Sequence, residues 1–238
     1  MGESPTAESL AQCYVLWGSG GHAKVLASLI ALRGGRVVAL FDNQEVQSSL
    51  GGVALYIGEA GFKCWADSME SLTSVIGLAA IGGHRGRDRL AVHALFRHRG
   101  LQVRSLVHPD ASVCATAVIG AGTQVLAQAI VAAEARIGEA CILNHRAAVD
   151  HECVLGDGVH IAPGATLCGC VTLGDNVMVG AGAVVLPRMS VGANSVIGAG
   201  AIVTKNVPAG VTVVGNPGRV VNKGPNLGSF GRSNATRT

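Results

Sequence analysis

VLAQAIVAAEARIGEACILNHRAAVDHECVLGDGVHI, residues 125–161, carries an aliphatic residue at every sixth position: Val125, Val131, Ile137, Leu143, Val149, Leu155 and Ile161. The grid extends back through Ile119 and Val113 to Val107. It extends forward through Leu167, Leu173, Val179, Val185, Val191 and Ile197 to Val203, giving seventeen consecutive hits. Six is neither the period of a helix, about 3.6, nor the simple alternation of a strand. A hexad fits a short strand plus a turn, with the aliphatic residue and the small or β-branched residue two places before it, such as Ala117, Thr123, Cys141, Cys153 or Val159, pointing inward. Each hexad then forms one flat side of a prism. Such units bury a continuous core only when stacked, so the array must be long.

The grid also settles the meaning of residues 111–133, which contain no charge and are long enough to cross a bilayer. Their Leu and Val fall on hexad positions, and Gln124 and Gln128 are expected to face water, so no membrane span is read here. The chain has 238 residues, 49% of them hydrophobic, which is ample for a core without staples. Aromatics are only 3% and glycines number 34, so that core must be built from Val, Ile, Leu and Ala around tight turns. A net charge of +3 with no run of Lys or Arg gives no phosphate-binding stripe, which excludes nucleic acid as a partner. Seven scattered cysteines without a pair of C-x-x-C units, and an MGESPTAESLAQC start lacking a basic and apolar leader, read as cytoplasmic.

The first hundred residues follow another pattern. CYVLWGSGGHAKVLASLIALRGGRVVALFDN, residues 13–43, is an apolar strand, a glycine turn, a helix ending at Gly34 and Gly35, and a second strand closing on Asp42. Gly18, Gly20 and Ala23 satisfy G-x-G-x-x-A, with Asp42 at the distance suited to a ribose hydroxyl. The pattern suits a nicotinamide cofactor or simply a tight strand-to-helix turn. Against NAD stand a lobe ending near Leu106, room for only half a dinucleotide fold, and His22 where a pyrophosphate must approach the backbone. A second unit follows: SVIGLAAIG, then Gly82-Gly83-His84, then the helix GRDRLAVHALFRHRG. Its Arg85, Arg87, Arg89, Arg97 and Arg99 read as a solvated helix face.

GSGGHAKV in a glycine-rich lobe, the hexad array, and LNHRAAVDHECVLGDGVHIAPGATLCGCVTLGDNVMVGAGAVVLP occur in one order. Over residues 13–221 the chain resembles the bacterial nucleotide-sugar N-acetyltransferases and the related sialic acid O-acetyltransferases. The resemblance implies an α/β Rossmann-like lobe over 13–106 and a left-handed parallel β-helix of hexapeptide repeats over 107–221. A flexible stretch, 1–12, and a disordered tail, 222–238, flank them. It further implies acetyl-CoA as co-substrate, no metal, and a homotrimer with sites between adjacent chains.

The resemblance assigns residues as well. His151, within Asp150-His151-Glu152-Cys153, is the catalytic base; amine acetylation needs a group that removes a proton as nitrogen attacks the thioester carbon. Glu152 orients it only if the chain turns there, because neighbours on an extended strand face opposite ways. His160 contacts the acetyl carbonyl as a donor, and Gly169 lies against the acetyl group. Lys205, Arg188, Pro217 and Arg219 belong to the coenzyme pocket. Ser19, Gly20, Gly21, His22, Asp42, Asn43, Gly82 and Asn144 hold the nucleotide sugar. Departures from the family pattern fall at Asn43, Gly83, His145 and Gly218.

His151 and His160 are nine residues apart, half an eighteen-residue coil, so they lie on opposite sides of one prism. A cleft using both must lie between neighbouring prisms, which cyclic packing of three supplies. The expected function is acetylation of the amino group at C4 of a nucleotide-linked amino-deoxysugar for surface glycan synthesis. Open alternatives are sialic acid O-acetylation, a zinc enzyme of the γ-carbonic-anhydrase kind using His145, His151 and His160, and a non-catalytic β-helix scaffold.

Overall fold

The computed structural model describes residues 12–223. The expected flexible start and disordered tail fall on residues 1–11 and 224–238, outside the described residues, except that Gln12 precedes the first strand and Asn222 and Lys223 belong to the last. The chain divides into two compact units. One comprises residues up to 81 together with 91–104, and the other comprises 82–90 together with the residues from 105 onward. The segment 82–90, which a linear reading gives to the lobe, thus packs with the hexads.

In the first unit, β1 (Cys13–Trp17), α1 (Gly21–Leu32), β2 (Arg36–Asp42), β3 (Leu55–Ile57), α2 (Gly58–Asp67) and β4 (Ile76–Ala79) build a parallel sheet of order β3-β2-β1-β4. β4 is buried along its whole length and β1 over its last three residues, which is why these strands read as unbroken apolar runs. All aromatic residues among those described lie in this unit. Phe62 makes edge contacts with Phe41, Trp17 and Phe96 at centroid separations of 5.0, 5.8 and 5.4 Å. Chain order reverses beside β1, since β2 lies on one side and β4 on the other. The carboxyl ends of β1 and β4 therefore flank a switch point, where open α/β sheets take their ligands.

The second unit contains seventeen two-residue strands, from β5 (Leu106–Val107) to β21 (Ile202–Val203), and the second residue of each is the grid aliphatic. They stack into three parallel sheets that form the faces of a prism, with β5 on the first face, β6 (Ser112–Val113) on the second and β7 (Val118–Ile119) on the third. Register is one coil of eighteen residues, as in Ile142↔His160 and Leu143↔Ile161. From Val125 onward the inward column and the small residues two places before it, among them Ala129, Cys141, Ala147, Cys153, Val159 and Ala165, are essentially inaccessible, while Val107, Val113 and Ile119 at the open end are partly buried. A Leu sealed in this way stabilises the fold by about 2 kcal/mol. The inward positions of the prism hold only aliphatic and small side chains, and the aromatics lie in the lobe. β22 (Val211–Val214) and β23 (Arg219–Lys223) close the stack as an antiparallel pair.

The corners turn tightly. Glu134, Glu152, Cys170 and Arg188 occupy equivalent corner positions one coil apart, all with φ between 57° and 63°. On the first face the outward residues Leu106, Gln124, Ile142 and His160 are covered as well. Gln124, expected in water, is 0% exposed, whereas Gln128 is exposed.

Residues 82–90 form a clasp within this unit. Arg89 does not lie on a solvated face. It is fully buried, and its guanidinium donates from Nε to the Ala140 carbonyl at 2.8 Å and from Nη2 to that of Gly158 at 2.7 Å. Nη1 reaches the Gly83 carbonyl at 3.3 Å. Arg85 and Arg87 remain exposed, as expected. Burial pushes the Arg89 guanidinium down to about 10, so it stays a cation at neutral pH. Gly86 N–H donates to Asn176 Oδ1 at 2.8 Å, and a Cβ on Gly86 would lie 2.2 Å from the Gly158 carbonyl oxygen, so the clasp seats backbone to backbone.

His84, in the same clasp, has a buried Nε2 with no hydrogen-bond partner among the described residues. Burial, ahead of the Arg89 and Arg87 charges, holds its pKa below the usual 6.5, against a hydrogen bond that the ring donates to the Asn176 backbone and that raises it. The folded state therefore prefers neutral His84. The resulting stability is complete above 6.5 and is lost as pH falls below it, because the unfolded chain binds a proton that the fold resists. Urea midpoints measured down to about pH 5 are expected to fall less steeply for His84→Gln than for the parent; identical slopes would contradict this.

Candidate functional site

The expected residues gather into four local groups. The first lies at the switch point of the lobe. Gly18, at φ +113°, lets the turn pass so close to β4 that a Cβ would sit 2.5 Å from the Ala80 carbonyl oxygen. Asp42 ties this turn down: its carboxylate accepts from Ser19 N–H at 2.8 Å and Gln44 N–H at 3.1 Å. Ser19 Oγ accepts from Ser49 N–H at 3.0 Å, so the residues after β2, which the motif reading passed over, complete the turn. Gly20 caps α1 without a side-chain partner, and Gly20 and Gly21 face open space, leaving the positive end of the helix accessible. His22 sits in the first turn of α1, and Asn43 is exposed beside Asp42.

The second group lies on the first face of the prism, where donor and acceptor roles can be assigned in sequence. His145 N–H donates to Asn144 Oδ1 at 2.8 Å, which leaves the Asn144 NH₂ facing His160 Nε2 at 3.3 Å. Nε2 is then the acceptor, and the ring proton resides on Nδ1, which donates to the Gly83 carbonyl at 3.3 Å. His160 is 6% exposed. A neutral His160 held in this way has no N–H for an acetyl carbonyl, so the expected donor role requires Asn144 to release Nε2. Gly82 faces open space beside this chain of contacts.

The third group occupies the corner between β12 (Ala148–Val149) and β13 (Val154–Leu155). The condition on Glu152 is met: the chain turns at φ +57° and brings Glu152 Oε2 to 2.9 Å from His151 Nδ1. The imidazole beside it, and next the Cys170 thiol, hold the Glu152 carboxyl below its ordinary range, so it is ionised and accepts the Nδ1 proton. Asp150 Oδ1 accepts from His151 N–H at 2.7 Å. Gly169 lies under the ring, where a Cβ would come within 2.4 Å of Nε2. The side chain of His151 is 51% exposed, so this Nε2 is a basic nitrogen open to a substrate.

The fourth group lines a cavity of about 280 Å³ that includes Lys205, Gly218 and Arg219. Two cations facing one cavity suit a phosphate-bearing coenzyme. At Gly218, the departure from the family pattern, a Cβ would lie 2.9 Å from Val213 Cγ1 and 3.0 Å from the Ile202 carbonyl oxygen. Pro217 follows a cis peptide bond next to this cavity. Arg188 is not part of the lining; it sits at the His151 corner, one coil beyond Cys170.

Within one chain His145, His151 and His160 do not converge on a common point. His145 and His160 bond to Asn144, and His151 occupies the corner opposite that face.

The signature described as PglD N-terminal domain matches residues 14–93, and that of bacterial transferase hexapeptide (six repeats) matches 134–169 and 170–205. Among curated proteins, UDP-N-acetylbacillosamine N-acetyltransferase of Bacillus subtilis is 36% identical over 113 residues, 46% of this chain and 49% of that one. The match therefore spans about half the length of that relative. Among solved structures, the acetyltransferase domain of PglB from Neisseria gonorrhoeae in complex with acetyl coenzyme A is 32% identical. The alignment covers 89% of this chain and 100% of that one, with a TM-score of 0.79. A mutant of perosamine N-acetyltransferase from Caulobacter crescentus, in complex with CoA and GDP-perosamine, is 29% identical over 88% of this chain and 96% of that one, with a TM-score of 0.80. A Rossmann-like lobe ahead of a left-handed hexapeptide β-helix, matched at this level along nearly the whole of a solved relative, means that the chain belongs to the bacterial nucleotide-sugar N-acetyltransferase family.

Proposed function

We propose that this protein transfers an acetyl group from acetyl-CoA to the amine at C4 of a nucleotide-linked amino-deoxysugar, supplying surface glycan synthesis in the cytoplasm. The observation that carries the reading is the His151–Glu152 pair, with Nδ1 committed to a carboxylate and Nε2 open above Gly169. Glu152 fixes the tautomer. His151 Nε2 takes the proton as the amine attacks the thioester carbon; the C–N bond forms, the C–S bond breaks, and the thiolate leaves. An ionised Glu152 stabilises the imidazolium produced in this step.

Lys205, Pro217 and Arg219 are assigned to acetyl-CoA, with His160 and Gly169 toward its acetyl end. Ser19, Gly20, Gly21, His22, Asp42, Asn43, Gly82 and Asn144 are assigned to the nucleotide sugar. A homotrimer is the proposed assembly. Supporting it, Ile130 on the second face and Val118 and Val154 on the third are exposed aliphatics on the two faces that meet at the His151 corner. No described helix is long and apolar enough to cross a membrane. The deciding experiment incubates the protein with acetyl-CoA and a panel of UDP-, GDP- and dTDP-amino sugars and follows thiol release. Absence of release with every member would overturn the reading.

The lobe has its own test. If the turn after β1 cradles the nucleotide, binding energy from a remote part of the acceptor supports the reaction. His22→Ala is then expected to raise KM for the nucleotide sugar and leave that for acetyl-CoA unchanged, and a free amino sugar is expected to react poorly with the parent. Tight NAD binding, or equal reaction of the free sugar, contradicts this assignment.

A further inference from the structure

One group at the His151 corner touches neither the amine nor the thioester in the proposed transfer. Cys170 repeats the position of Glu152 one coil on, and its thiol donates to Glu152 Oε2 at 3.6 Å, the same oxygen that lies 2.9 Å from His151 Nδ1. An imidazole nitrogen, a carboxylate oxygen and a sulfur all lie within 4.8 Å of one another, the only such group of three or more potential ligands among the described residues. Tetrahedral zinc, with bonds of about 2.0–2.3 Å, sets its ligands about 3.3–3.8 Å apart, so small rotations of exposed side chains suffice. A nitrogen, oxygen and sulfur set suits zinc and does not suit calcium or magnesium, which take oxygen. The thiolate and carboxylate together neutralise the dication. Exposed Arg188, at the next corner position, opposes it, which favours a reversible site over a structural one.

We infer that His151, Glu152 and Cys170 form a zinc site whose occupancy switches the enzyme off. The inhibitory half of this inference rests on His151 being the base. Zinc takes the Nδ1 lone pair, so the ring proton moves to Nε2, and the nitrogen that would accept the substrate's proton is then already protonated. Glu152 turns to the metal, and the Cys170 thiol releases one proton to solvent as it becomes a ligand. Water fills the fourth position.

The test uses the full chain and cobalt as a spectroscopic stand-in for zinc. A thiolate-to-cobalt charge-transfer band is expected in the parent and absent in Cys170→Asn, a residue that tolerates the left-handed turn at φ +61°. Inhibition is read against each protein's own metal-free rate, and about tenfold more zinc should be needed to inhibit the variant. As a measurement free of any variant, zinc is expected to slow alkylation of Cys170 in the parent and not that of exposed Cys64. An unchanged band in Cys170→Asn, no band in the parent, or unprotected Cys170 overturns the site. A band that depends on Cys170, together with undiminished transfer in saturating zinc, keeps the site and overturns His151 as the base.

Discussion

His151→Ala is expected to lower kcat by about 10²-fold or more, with affinity for acetyl-CoA close to that of the parent. The magnitude is that of a lost general base, about 2.7 kcal/mol of transition-state stabilisation. The fold should survive, since the side chain is half exposed and leaves neither a cavity nor a stranded buried group. Glu152 keeps its place through the corner backbone, where its N–H donates to the Ala133 carbonyl at 2.9 Å. Gly169→Ala provides the steric counterpart. A Cβ placed 2.4 Å from Nε2 must push the ring away, so this variant is expected to lose kcat while His151 is still present. Thiol release with the preferred amino sugar, measured at saturating concentrations, reports both. Parent-like turnover in His151→Ala would sink the mechanism.

The grid from Val107 to Val203 was legible because the inward column is aliphatic throughout and every grid aliphatic is the second residue of a strand. Glu152 was half legible. Its identity pointed to an orienting carboxylate, but whether it faces His151 depends on a left-handed corner, and in this chain Glu, Arg, Gln, Cys and Ala all occupy such corners beside the Gly and Asn that advertise them. Cys170 escaped for the same reason, since its closeness to Glu152 is a relation across coils. Gln124 was misplaced because hexad periodicity separates inward from outward and says nothing of what covers an outward face. The tautomer of His160 depends on a chain of three contacts from Gly83 to His145 that no local pattern encodes.

Arg89 is the clearest case of a residue whose role lay outside the pattern, because its partners are main-chain carbonyls, which carry no side-chain signature. The Ala140 and Gly158 carbonyls have no other donor among the described residues, and each accepts a charge-assisted bond worth about 1.5–3 kcal/mol. Against this stands the cost of burying the cation. Desolvation is the main cause of the downward shift of the guanidinium to about 10. Arg89→Met removes that cost and keeps much of the apolar volume, but it leaves both carbonyls buried without their donor and is expected to lose about 2 kcal/mol. Arg89→Ala also empties the space filled by the long side chain, and is expected to lose about 3 kcal/mol, a Tm lower by roughly 6–12 °C. Opening should be local first. Amide exchange at Gly86, whose N–H is held by Asn176, is expected to accelerate in Arg89→Ala before that of the inner strands. A Tm equal to the parent, with Gly86 still protected, would show that the clasp is held by its backbone fit against Gly158 and not by the guanidinium.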